Sequence, residues 1–118
     1  MQTNNITDPR VIAISQKVVQ AAKDTLGDKL DKVILYGSYA RGDYDHESDI
    51  DFFILADVPQ DEACGQRKPI RDRLAYIDLE FDLLVSCKVT GKELFEQYVD
   101  VLPYYANISK EGVLMYGR

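Results

Sequence analysis

The chain has 118 residues, 46% of them hydrophobic and 29% charged, with a net charge of −6. That composition describes one globular domain with a single core, and it excludes disorder as a class. An acidic chain repels phosphate on average, so bulk nucleic-acid binding is not expected and a nucleotide is expected to be met through divalent cations.

Residues 1–7 are polar and expected to fray. Asp8-Pro9 reads as a helix start, with Asp8 as N-cap and Pro9 at the first helical position. Val11, Ile14, Val18, Ala22 and Leu26 recur at three- and four-residue spacing, widened by Ile12 and Val19. This stripe predicts a helix closed by Gly27, with Lys23 suiting its negative end. Val33 to Tyr36 reads as a buried strand stopped by Gly37. Ser38 to Arg41 reads as a short helix, 42–48 as a polar loop, and Asp49 to Leu55 as a second strand ended by Val58-Pro59.

A further helix is expected from about Pro69 through Ile70, Leu74 and Ile77, preceded by a shorter helical turn. Glu80 to Ser86, rich in Phe, Leu and Val, reads as a third strand. Thr90 reads as the N-cap of a helix through about Tyr98, with Glu93 completing a capping box. Pro103 opens a helix ended near Gly112, and Val113 to Tyr116 closes the chain as a short strand or coil. Strands separated by helices indicate an α/β or α+β domain spanning 1–118.

The chemistry concentrates between Gly37 and Asp51. Side chains alternate along a strand, so Asp49 and Asp51 share a face while Ile50, Phe52 and Ile54 take the other. Two same-face carboxylates can share a hard divalent ion. Asp82, within the apolar Phe81-Asp82-Leu83-Leu84-Val85, is the candidate third ligand, with Glu80 as the fallback. Gly37 lets backbone N–H groups approach a phosphate, and the Ser38 hydroxyl adds a donor. Arg41 either pairs with a phosphate or caps the local acids. His46 is the only histidine, which excludes sites needing two imidazoles, and no GxSxG elbow is present. Cys64 and Cys87 have no metal-ligand spacing and read as reduced thiols of a cytoplasmic protein. No membrane span or secretory leader is expected.

Gly37-Ser38, ten residues, then Asp49-Ile50-Asp51 resembles the signature of the minimal nucleotidyltransferases in the DNA polymerase β superfamily. GSYARGDYDHESDIDFFIL is similar to that family throughout, as are FDLLV and the ending ISKEGVLMYG, so the resemblance covers roughly residues 30–118. It implies a mixed sheet flanked by helices and transfer of a nucleoside monophosphate from an NTP, ATP being the family's usual donor, to a hydroxyl with release of pyrophosphate. It implies Asp49, Asp51 and Asp82 as ligands of two magnesium ions, and Gly37, Ser38 and Arg41 around the triphosphate. Ser86-Cys87-Lys88-Val89 departs from the family by being longer and more basic.

Larger relatives carry a separate acceptor domain, and many minimal proteins of this kind resemble the antitoxin halves of HEPN–MNT pairs, in which the transferase adenylylates its HEPN partner. A HEPN-type partner protein is therefore the expected acceptor. One alternative is a non-catalytic module that silences such a partner by contact. Another is an antibiotic-type small-molecule transferase, whose pocket would require a homo-oligomer.

Overall fold

The computed structural model describes residues 1–117. Helix α1 spans Pro9–Leu26, capped by the Asp8 carboxylate, which accepts from the Arg10 N–H, and stopped by Gly27 at φ 57°. A 3-10 turn (Gly27–Lys29) feeds strand β1 (Leu30–Tyr36), and Gly37 then leads into the one-turn helix α2 (Ser38–Arg41). After a polar loop come β2 (Ile50–Ala56), α3 (Gln60–Cys64), α4 (Arg67–Arg73) and α5 (Ile77–Phe81). The chain finishes with β3 (Val85–Gly91), α6 (Lys92–Tyr98), α7 (Pro103–Glu111) and β4 (Val113–Gly117).

The four strands form one mixed sheet in the order β3-β2-β1-β4. β1 pairs antiparallel with β2 and β4, whereas β2 and β3 run parallel. One face, carrying Val33, Leu35, Phe52, Ile54 and Val85, packs with Val11, Ile14 and Val18 of α1 and Ile70 of α4 in the larger core. The opposite face carries Ile34, Phe53 and Leu55, covered by Phe95 of α6 and Ile108 of α7. Both faces are apolar because both are covered. Phe53 and Leu55, on the same face as Asp51, are thus as deeply buried as Phe52 and Ile54. Residues 1–7 are irregular, yet Gln2 bridges Val113 and donates its backbone N–H to Gly112 O at 2.8 Å.

Two expectations are corrected. Glu80 to Ser86 is not a strand: α5 runs to Phe81, Asp82 caps it in the left-handed region (φ 50°, ψ 50°), and β3 begins only at Val85. The start of β3 is set by tertiary bonds. The Asp78 carboxylate accepts from Val85 N–H at 2.9 Å, and Ile50 N–H donates to Leu84 O at 3.0 Å. Thr90 is not an N-cap either; it lies buried in β3, and α6 starts after Gly91 without a side-chain cap. Gly91 belongs there because a Cβ would stand 2.9 Å from Val58 O, so the strand passes flush against the entry to α3. No helix among the described residues is long and apolar enough to cross a membrane.

Candidate active site

The turn after β1 rests on Gly37, whose φ of 75° and ψ of −155° lie in a region open essentially to glycine alone. A Cβ at that position would stand 2.6 Å from Asp51 Oδ2, so the acid lies directly against the turn. Ser38, half-buried, opens α2, and the first N–H groups of any helix lack acceptors within it. Strand pairing sets Asp51 opposite Tyr36 on one side and beside Ser86 on the other. Asp49 precedes β2 and is exposed.

The electrostatics join these groups. Burial pushes the Asp51 carboxyl above the usual aspartate range, and the charge on Asp49 pushes it the same way, while Lys88 and Arg41 pull it back. A hard cation bound beside Asp51 would offset the repulsion that the Asp49 charge exerts on it. A pair of carboxylates completed by water and phosphate oxygens is a donor set that magnesium accepts. The residues present therefore fit one such ion.

Around the pair lie a hydroxyl, an ammonium group and two phenols. Ser86 and Lys88 alternate onto the Asp51 face of the sheet, alongside Asp51 and Phe53 respectively. Lys88 Nζ lies 5.1 Å from the centroid of the Tyr104 ring. The Tyr104 and Tyr36 hydroxyls are 2.9 Å apart. Burial first, then the bond to Tyr104, raises Tyr36 far above an ordinary tyrosine, so its phenol stays neutral. A cavity of about 210 Å³ borders the Gly37 turn, lined by Tyr36, Gly37, Arg41, Tyr104 and Glu111 and by neither acid of the pair. Two larger clefts, of about 480 and 580 Å³, flank α1 away from the Gly37 turn.

The structure unites Gly37, Ser38, Asp49 and Asp51, and it treats the other expected residues differently. Arg41 turns to acids, with Nε 3.1 Å from Asp43 and Nη1 3.6 Å from Glu111. Asp82 is exposed at the end of α5, four positions before the residue that flanks Asp51. Glu80 pairs with Lys17 of α1 at 3.4 Å. Among the described residues, no three Asp, Glu, His or Cys side chains gather as a metal site. Ser86, Lys88, Tyr36 and Tyr104 were not identifiable as site residues from the sequence. The one available signal was the basic character of the segment from Ser86 to Val89.

The model of the family described as "Nucleotidyltransferase domain" matches residues 15–112. Two proteins of Methanocaldococcus jannaschii, each named as a putative protein adenylyltransferase, are similar to this chain. One is 36% identical over 95 residues, covering 80% of this chain and 94% of its own length. The other is 33% identical over 101 residues, covering 86% and 93%. Among solved structures, the fold resembles a crystal structure of a toxin–antitoxin with AMP-PNP. The TM-score is 0.59 at 21% identity, covering 88% of this chain and 73% of that one. At that identity the likeness speaks for the mixed sheet and its flanking helices alone.

Proposed function

Because the chain belongs to the nucleotidyltransferase domain family, we propose that it transfers AMP from ATP to a hydroxyl of a partner protein, with magnesium, releasing pyrophosphate. It is a transferase; the donor, metal and acceptor are the proposal. The observation that carries it is the contact between the Asp51 carboxylate and Gly37, which brings an acidic pair and a side-chain-free turn into one place. The two relatives named for protein adenylylation support a protein acceptor.

In this reading Asp49 and Asp51 hold the ion, and the Gly37-Ser38 turn receives the triphosphate. Bound there, the ion offsets negative charge on the phosphoryl oxygens. The acceptor oxygen bonds to the α-phosphorus as the bond to the bridging oxygen breaks; pyrophosphate leaves and the acceptor proton passes to water. Catalysis of this kind is mainly positioning and charge stabilisation. Asp51, held against the turn, positions one ligand within a rigid strand pair. Free Cys64 and Cys87 suit a reducing compartment, the cytoplasm.

A HEPN-type protein is the acceptor we propose. The test incubates the chain with α-labelled ATP and magnesium, with and without its co-purifying partner, beside an Asp49→Asn/Asp51→Asn variant. Label on the partner that disappears in the variant is the expected result. A wild-type chain that silences its partner yet transfers nothing overturns the proposal. One observation favours that second, contact-only reading: the described residues bring two carboxylates together rather than three.

A further inference from the structure

Where a third carboxylate was expected, β3 places the Ser86 hydroxyl beside Asp51 and the Lys88 ammonium two residues on, over the same face. Lys88 does not extend away from the sheet. Its Nζ lies on the Tyr104 ring, the Tyr104 hydroxyl meets that of Tyr36, and Tyr36 faces Asp51 across the β1–β2 pair. The ammonium group is thereby held in over the face of the sheet that carries the acid.

The charge is also available. Among the described residues Lys88 makes no ion pair, whereas Arg41 is engaged by both Asp43 and Glu111. A triphosphate brings further negative charge to a site that already holds Asp49 and Asp51, and one divalent ion does not balance the total. The site therefore needs a second positive group, and Lys88 is the exposed cation on that face.

We propose that Lys88 is a donor-binding residue that contacts the β- and γ-phosphates of the nucleoside triphosphate. This rests on the nucleotidyl-transfer reading. Lysine suits the role as a compact point charge on a flexible stem, able to leave the Tyr104 ring and follow the phosphates.

The experiment titrates a fluorescent ATP analogue, and separately AMP, into wild type, Lys88→Met and Lys88→Arg in magnesium buffer. Methionine keeps the apolar contact with Tyr104 while removing the charge, and a thermal melt confirms folding of each variant. Loss of one charge-assisted phosphate contact predicts about tenfold weaker ATP-analogue binding for Lys88→Met. AMP binding should stay unchanged, and Lys88→Arg should recover most of the affinity. Equal ATP-analogue binding by wild type and Lys88→Met overturns the lysine's role alone. An equal loss for AMP overturns the assignment to the outer phosphates. Absence of any binding by wild type overturns the nucleotide reading, and the lysine's role with it.

Discussion

The Asp51 carboxylate stands in the space that a side chain on Gly37 would need, since a Cβ there would lie 2.6 Å from Oδ2. This contact crosses the antiparallel pair in which Tyr36 faces Asp51, so the acid of β2 packs directly on the turn after β1. Glycine turn and carboxylate are two sides of a single wall.

Gly37→Ala should therefore fail twice. The backbone at φ 75° and ψ −155° disfavours any L side chain by about 1–3 kcal/mol, and the new methyl displaces Asp51. A thermal melt should register the first effect and a label-transfer assay the second. An alanine variant with wild-type melting and transfer would show that the turn relaxes freely.

Asp51→Asn should abolish transfer yet stabilise the unliganded protein at neutral pH. The folded state raises the Asp51 pKa through burial and Asp49, so it binds the proton more tightly than the unfolded chain does. Its contribution favours folding at acid pH and is lost as pH rises past the ordinary aspartate range towards the raised folded value. Melting temperatures of wild type and variant, followed across that window, should diverge as pH rises. Curves that stay parallel would remove Asp51 as the source.

Asp82 separates the expected three-acid site from the observed pair. Asp82→Asn should retain transfer within a few-fold, in contrast to Asp49→Asn. Asp82→Gly should gain stability of order 1 kcal/mol, because glycine enters the left-handed region without the Cβ penalty. Transfer lost to the same extent in Asp82→Asn and Asp49→Asn would instead make Asp82 a ligand in the nucleotide-bound state.

Magnesium with ATP should raise the melting temperature of wild type. A ligand at a hundredfold its Kd stabilises the native state by about 2.7 kcal/mol. The Asp49→Asn/Asp51→Asn variant should show little of this shift under the same conditions. Differential scanning fluorimetry over a ligand series checks both, and equal shifts in the two proteins would place the nucleotide elsewhere.

Local signals were legible wherever local forces decide the structure. Asp8-Pro9 and the stripe from Val11 to Leu26 placed α1, since a cap and a helical period are properties of neighbouring residues. Ser38 to Arg41 and the apolar run after Asp49 were equally readable. The third strand was not. Phe81, Leu83, Val85, Cys87 and Val89 alternate without a break, and all are at least partly buried. Period alone does not say where on that run the sheet begins.

The chain's covalent pattern thus settled the family-like turn, the two acids at β2 and the helix before them, because each depends on residues close in sequence. Pairing across the molecule decided the rest. The Asp78 bond to Val85 and the parallel register with β2 start β3 after Asp82. They thereby set Ser86 and Lys88 on the Asp51 face. Such choices rest on hydrogen bonds and burial between distant segments, which no short window of sequence contains.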